Sequence, residues 1–388
     1  MKTHIRIILA GLAGLMAVEI TAQAQYIWTT LKDPLAGTGA IGPDTLAANI
    51  SGTNIVGGYG YFLRNNGVIH GFLLSGTNWV TLDDPLAGSG LDQGTYAAGV
   101  SGTNIAGWYV DGSGVTHGFL HHGSTWTTLD DPRADLSPSG GTDAFGIDGT
   151  NISGYYTDAS GVSHGFLYSL ATSNWTTLDA PLAGSGSGQG TYAEHMSGGN
   201  IVGSYTDAGG ISHGFVYGIV ANAWTKFDAP LAGSASGQGT TAFSISGTNI
   251  VGTYQDASNN LHGFLYDGRT WTTLDDPQAE PGSFGVGGTV ALGIDGASIV
   301  GIYIHSDGIY NAFLASPIPR LAITRSSNSL RVSWPCWGSP WTGWTLEQTP
   351  DLTSTNWTPS GGAANDGTNN FLDIAAPAGN LFFRLSQQ

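Results

Sequence analysis

Short apolar runs separated by turn residues fill residues 240–277: Ala242-Phe-Ser-Ile-Ser-Gly, Asn249-Ile-Val-Gly-Thr-Tyr254, His262-Gly-Phe-Leu-Tyr266 and Trp271-Thr-Thr-Leu-Asp-Asp-Pro277. Runs of this length, rich in β-branched and aromatic residues and bounded by Gly, Asn, Asp and Pro, predict four short strands of one antiparallel sheet. We label them a, b, c and d. The pattern repeats along the chain. The Trp of strand d returns at Trp28, Trp79, Trp126, Trp175, Trp224 and Trp271, a spacing of 47 to 51 residues. Strand b ends at Gly57, Gly107, Gly154, Gly203, Gly252 and Gly301, and strand c starts at His70, His117, His164, His213 and His262, with Asn311 in the sixth copy.

A period of about 48 residues with four strands per unit is that of a β-propeller blade. The phase of the copies adds to this. Strands a, b and c occur six times, starting near Ala47 and ending near Ala315, whereas the first strand d, Ile27 to Leu31, precedes every strand a. A ring resolves the offset, because the N-terminal d strand can complete the last sheet and leave no open edge. The expected fold is therefore all-β: a six-bladed β-propeller closed by an N-terminal strand over residues 25–317. A small β-sandwich-like domain over 318–388 follows, since the period stops at Pro317 and Pro319 and short strand-like runs such as Ser329–Trp334 take over.

Within each unit, Trp and Leu of strand d stand three apart, which leaves their faces open and admits a twist or bulge. The six tryptophans are expected to carry much of the core between units. Asn54, Asn104, Asn151, Asn200 and Asn249 are expected in the a-to-b turn, where Asn tolerates left-handed backbone. Pro-Leu-Ala-Gly-Ser-Gly strings, as at Pro85–Gly90 and Pro181–Gly186, predict exposed flexible d-to-a loops on one rim.

Composition adds a compartment. Residues 1–24 read as a signal peptide, with Lys2 and Arg6 before an apolar run from Ile7 to Val18 and small residues at Ala22 and Ala24. Export implies a secreted protein, extracellular or at the cell surface. Losing Lys2, Arg6 and Glu19 takes the formal charge from -17 to -18, a balance that repels nucleic acid. No later run is long and apolar enough for a membrane span. Cys336, the one cysteine, has no partner for an internal disulfide.

The repeat resembles the bacterial extracellular family named for a His-Ala-Phe (HAF) tripeptide. The element stands as His70-Gly71-Phe72, His117-Gly118-Phe119, His164-Gly165-Phe166, His213-Gly214-Phe215, His262-Gly263-Phe264 and Asn311-Ala312-Phe313, beside the Ile-Val-Gly-x-Tyr and Thr-Leu-Asp-x-Pro segments. The resemblance covers roughly residues 26–316 and implies an exported repeat protein with no established reaction. The tail, with Ser333-Trp334-Pro335 and Phe383-Arg384-Leu385, is similar to modules that end many secreted bacterial proteins, which implies a sorting, anchoring or accessory binding role.

Candidate chemistry divides into repeated and unrepeated residues. The five histidines lie at equivalent places on a ring and cannot converge on one ion, so a hydrogen bond to a neighbouring strand is the expected role. Asp111, Asp158, Asp207 and Asp256, after strand b, offer one carboxylate each where calcium needs six to eight oxygens; they are weak metal candidates and are expected to form turns. Asp267-Gly-Arg resembles a sialidase Asp-box with the wrong spacing, and Arg64, Arg133 and Arg269 sit at unlike positions, which argues against a sialidase. No motif calls for a cofactor. Glu194 and His195 are the departures from the average on strand a, standing where other copies carry residues such as Ala48 and Asn49. Trp108 replaces small residues before the strand-b Tyr and is a candidate stacking face for a ligand. Three functions are compatible with this pattern: a non-catalytic propeller binding a polysaccharide or a cell-surface protein, a glycoside hydrolase or lyase using Glu194 and His195 at the channel, or a structural surface or matrix protein.

Overall fold

The computed structural model describes residues 26–36, 44–60, 67–138, 140–280, 287–305, 309–325, 329–335, 344–351, 353, 355–366, 369–375 and 381–387. The signal-peptide reading, Arg64 and Cys336 lie outside them. Strands are the only regular elements among the described residues, and two compact units divide near Ser316/Pro317.

The first unit opens with β1 (Tyr26–Leu31). There follow β2 (Asp44–Ser51), β3 (Asn54–Gly60), β4 (Ile69–Ser75) and β5 (Asn78–Leu82); then β6 (Gly94–Ser101), β7 (Asn104–Val110), β8 (Thr116–His122) and β9 (Thr125–Leu129). The next set is β10 (Gly141–Asp148), β11 (Asn151–Thr157), β12 (Ser163–Ser169) and β13 (Asn174–Leu178), followed by β14 (Gly190–Ser197), β15 (Asn200–Thr206), β16 (Ser212–Gly218) and β17 (Ala223–Phe227). The last strands are β18 (Gly239–Ser246), β19 (Asn249–Gln255), β20 (Leu261–Tyr266), β21 (Trp271–Leu274), β22 (Gly288–Asp295), β23 (Ser298–Ile304) and β24 (Tyr310–Pro317). Chain neighbours within each set pair antiparallel, as β10 to β13 do from Gly141↔Thr157 to Ser169↔Asn174. Strands β22 to β24 make a set of three, and β1 pairs with β24. Single parallel bridges such as Ser163↔Gly190 join successive sets, so all 24 strands form one sheet.

Strand β1 behaves as the fourth strand of the last set. Trp28 lies 4.8 Å from Phe313, and the matching Phe166 and Trp175 lie 4.9 Å apart. The Thr30 hydroxyl bonds to the Tyr303 hydroxyl at 3.1 Å, as Thr81 does to Tyr59 at 3.0 Å. The first strands, β2, β6, β10, β14, β18 and β22, contact one another in a closed cycle.

The core lies between sets, and its centre differs from expectation. Phe72, Phe119, Phe166, Phe215, Phe264 and Phe313, the Phe of each tripeptide, are the largest fully buried side chains, whereas the tryptophans cover them from partly exposed positions. Each ring claims the space beside a strand-b glycine: a Cβ on Gly154 would stand 2.0 Å from the Asp143 carbonyl oxygen and 2.7 Å from the Phe166 ring. The Trp and Leu of strand d face opposite sides, as a regular two-residue period requires. Trp175 packs with Ile152 and Phe166, and Leu178 with Ala193 and Phe215 of the next set. The bulge is on strand a instead. One extra residue enters each first strand, between Ala144 and Gly146 in β10 and between Ala193 and Met196 in β14. The left-handed residue of the a-to-b turn is glycine, for example Gly149 at φ 59°, while the following Asn already belongs to strand b. Asn249 instead reaches the next set, donating from Nδ2 to the Gly296 carbonyl at 3.4 Å.

The second unit holds β25 (Ala322–Arg325), β26 (Ser329–Pro335), β27 (Trp344–Thr349), β28 (Thr358–Pro359), β29 (Ala364–Asn365), β30 (Asn369–Ala375) and β31 (Phe382–Gln387). They form two sheets, β25-β26-β30-β29 and β28-β27-β31. Both contribute to one apolar cluster containing Val332, Trp334, Leu346, Phe383 and Leu385.

Candidate functional site

The repeated polar residues form a frame. Strand c puts each His beside the Asp that ends strand d: His164 Nδ1 lies 2.9 Å from Asp179, His117 Nδ1 3.0 Å from Asp130 and His213 Nδ1 3.0 Å from Asp228. The other ring nitrogen faces the Asp of the b-to-c turn, with Nε2 at 3.5 Å from Asp111, 3.4 Å from Asp158 and Asp207, and 3.7 Å from Asp256. One face of the ring stacks on the strand-b Tyr, as His164 does on Tyr156 at 5.1 Å. These aspartates also build their own turns. Asp158 Oδ1 accepts from the Ser160 and Val162 amides at 2.9 and 3.0 Å, and the Ser160 hydroxyl first, then the Val162 amide, lower its pKa to about 2. Asp111 is also held at about 2: burial pulls upward but is outweighed by bonds from Ser113 and Val115. Among the described residues no group of three His, Cys, Asp or Glu side chains is arranged to hold a metal ion.

Among the described residues the d-to-a loops carry repeated hydrogen bonds. The Ala183 amide donates to the Ala180 carbonyl at 2.9 Å and the Gly184 amide to the Thr206 carbonyl at 2.8 Å. They do present Leu35, Leu86, Leu182 and Leu231 to solvent.

The unrepeated residues converge at the bulges of the first strands. His195, buried on β14, reaches two other sets: Nδ1 lies 2.9 Å from the Phe243 carbonyl and Nε2 3.0 Å from the Ala98 carbonyl. A neutral imidazole carries one N–H and can donate to only one of them. Burial holds its pKa below the usual value while the two carbonyls pull it upward. One nitrogen therefore donates and ties β14 to β6 or to β18, while the other lies against the second carbonyl oxygen without a donated bond. Asn49 and Ser244 make a further link, Nδ2 to Oγ at 3.5 Å.

Glu194 is different. It is 6% exposed, and its Oε2 is buried without a hydrogen-bond partner. Burial first, and then the charge of Asp143, hold its carboxyl well above the ordinary range. Asp143, on β10, is pushed up to about 7 by burial. Burial and the Glu194 charge also raise the Tyr96 phenol, and burial followed by Asp143, Glu194 and Tyr192 raises that of Tyr155. Tyr96 and Tyr155, whose phenols feel these charges, belong to a series of ring contacts. Trp108 stacks on Tyr96 at 5.2 Å, both pack in one cluster with Phe145, Phe145 stacks on Tyr155 at 5.5 Å, and Tyr155 meets Tyr192 edge-on at 5.1 Å. Trp108, Phe145, Tyr155 and Tyr192 are partly exposed.

Glu194 and Trp108 are thus linked through Tyr96, and sequence reasoning did not single out Asp143, Tyr155, Tyr96 or Tyr192 beside them. The signal was available. Before the conserved-spacing Ala of strand a the six copies carry Leu46, Tyr96, Asp143, Tyr192, Thr241 and Val290, so Asp143 breaks its column as plainly as Glu194 does. Asp111, Asp158, Asp207 and Asp256 belong to the His frame.

No protein-family model and no curated protein matches the chain. Among solved structures, the chain is similar to a mutant of the Aleuria aurantia lectin in complex with Fucα1-6GlcNAc, with a TM-score of 0.45 and 17% identity over 76% of this chain and 93% of that one. It is also similar to the fucose-specific lectin from Aleuria aurantia in a mercury-derivative form (TM-score 0.39, 17% identity, 71% and 97% covered). A third is the β-propeller domain of the Trilobed protease from Pyrococcus furiosus (TM-score 0.36, 8% identity, 75% and 91% covered). Likenesses this distant carry no argument about ligand or activity.

Proposed function

We propose that this chain is a secreted, HAF-type six-bladed β-propeller that binds a polysaccharide without transforming it. Each four-stranded set is one blade, with β1 closing the ring. The cycle of first strands and the contacts of Trp28 and Thr30 support that reading. One observation carries the binding assignment: the partly exposed rings of Trp108, Phe145, Tyr155 and Tyr192 lie on three neighbouring sets, two of which also carry Asp143 and Glu194. Aromatic faces with a few convergent polar groups suit the apolar faces and hydroxyls of sugars. The burial of His195 between two backbone carbonyls favours binding over acid–base chemistry at that residue. The export signal at 1–24 and a β-sandwich-like accessory module at 318–388 belong to the same reading, and cell fractionation tests the first of them.

The test is a glycan array spanning neutral, fucosylated, acidic and amine-bearing glycans, followed by titration calorimetry on any hit. Trp108→Ala is expected to weaken binding about tenfold, the equivalent of about 1.4 kcal/mol. A hit that Trp108→Ala and Tyr155→Ala both leave unchanged removes this site from consideration. A hydrolytic reading has one observation in its favour, two raised carboxyls of which Glu194 feels the charge of Asp143, a pairing of the kind from which acid–base work is built. It requires new reducing ends from a bound glycan and their loss in Glu194→Gln.

A further inference from the structure

We infer that the ring-bearing arc takes one stretch of an uncharged, β-linked glycan per molecule, lying along three neighbouring sets, and that this site is not repeated in the other three. The inference rests on the polysaccharide-binding reading above and specifies the ligand and its number.

The repeat makes the number readable. In every set the residue before the strand-a Ala stands opposite the residue before the strand-b Tyr. The pair is Tyr96↔Trp108, Asp143↔Tyr155 and Tyr192↔Ser204 in the second, third and fourth sets. In the fifth, sixth and first sets it is Thr241↔Thr253, Val290↔Ile302 and Leu46↔Gly58. Directly opposed residues of an antiparallel pair share a face of the sheet, so six equivalent pairs carry rings on one arc only. The bond from His to the Asp that ends strand d recurs in five sets; the rings do not follow it. A ligand held by stacking on this pair therefore finds one place, where a site built on the repeat would be offered in every set.

Length follows from the ring contacts. Trp108 stacks on Tyr96 at 5.2 Å, Phe145 stacks on Tyr155 at 5.5 Å, and Tyr155 meets Tyr192 at 5.1 Å. Phe145 also packs in the cluster that holds Tyr96 and Trp108. The partly exposed rings thus extend over three sets, further than a single sugar reaches. A β-linked chain presents a row of flat C–H faces, and successive aromatic rings can each take one.

Charge selects among such chains. Asp143 stands opposite Tyr155, and Glu194 follows Tyr192 by two residues on β14. The described cations of this unit lie elsewhere: Arg133 is engaged by Asp131 and Lys226 by Asp228, Lys32 follows β1, and Arg269 precedes β21. A uronate or sulfate would meet no counter-charge on the arc and would approach a chain of formal charge -17. An uncharged chain meets neither obstacle.

The experiment is calorimetry on the full chain with β-1,4-linked glucose and N-acetylglucosamine oligomers of two to six sugars, and with β-1,4-mannuronate oligomers as the charged comparison. Expected are one hexamer per protein in at least one neutral series, a hexamer at least about tenfold tighter than the dimer, and far weaker binding of mannuronate. Trp108→Ala and Tyr192→Ala, at the two ends of the arc and each checked for an unchanged melting transition, should reduce the advantage of hexamer over dimer. Thr241→Ala, at the equivalent pair outside the arc, should leave it unchanged. Should Trp108→Ala fail to fold, Tyr192→Ala carries the same test. More than one hexamer per protein, a dimer as tight as the hexamer, equal affinity for mannuronate, or an equal effect of Thr241→Ala overturns the inference and leaves polysaccharide binding standing. Binding of neither neutral series overturns it as well, and the glycan array then decides the broader reading by itself.

Discussion

Replacing Trp28 by Ala tests whether β1 is a structural fourth strand or an appendage. Trp28 is partly buried, 4.8 Å from the Phe313 ring, in a cluster with Val251, Leu274, Ala291 and Ile299. A fully buried Trp removes about 150–250 Å² from water, which at about 25 cal/mol per Å² is about 4–6 kcal/mol. Partial exposure lowers this to about 3 kcal/mol. The buried Trp28 Nε1 has no hydrogen-bond partner, so its removal returns about 1 kcal/mol of desolvation cost. The net expectation is a loss of about 2 kcal/mol, against about 3 kcal/mol for Trp175→Ala, whose ring sits on Phe166 in the same way. Urea midpoints with unchanged slopes would measure both. A loss below about 0.5 kcal/mol for Trp28→Ala beside a full loss for Trp175→Ala would refute the closure of the ring by β1.

Other outcomes follow from single features. Asp143 titrates near 7 in the fold against a reference of 3.8, so its contribution to stability is complete below about pH 4 and is lost as pH rises through 7. The shift of about three units corresponds to about 4 kcal/mol. Asp143→Asn should flatten that slope, and a wild-type chain equally stable at pH 5 and pH 8 would contradict it. Gly154→Ala drives a methyl into the Asp143 carbonyl and the Phe166 ring and is expected to cost more than about 3 kcal/mol. Gly149→Ala, in open space at φ 59°, should cost only about 1 kcal/mol; thermal melts of the pair would separate crowding from backbone strain. His195→Ala removes the contacts to Ala98 and Phe243 and should cost about 2–4 kcal/mol, while His195→Gln, which keeps a donor there, should recover part of it.

The order of the strands was legible because every unit repeats the same turn residues, and the offset of the first strand d pointed to its pairing with β24. The partner of each His was foreseen in kind, a bond to a neighbouring strand, though not as the Asp that ends strand d. What escaped the sequence depends on meetings between units. Trp outweighs Phe in size, yet Phe166 takes the buried place because Gly154 opposite it leaves room for a ring. The strand-a bulge does leave a trace: Ala144 and Ile147 stand three apart yet face one cluster, where a regular strand would put them on opposite faces, a spacing that was read only in strand d. Glu194 and Trp108 stood out as breaks in their own columns. The link between them runs through Tyr96, which stacks on Trp108 and lies within reach of the Glu194 charge, and no spacing along the chain encodes that.

The pairing of β1 with β24 makes covalent order dispensable in this unit. Tyr26 and Pro317 bound strands that sit side by side, as Ser75 and Asn78 bound the hairpin between β4 and β5. The break in the chain falls where every other set has a short turn. A circular permutant that joins residue 316 to residue 26 through a few Gly and Asn residues, and opens the Gly76 turn instead, should fold to the same sheet. It would move the chain ends from one position on the ring to the equivalent position one set further on.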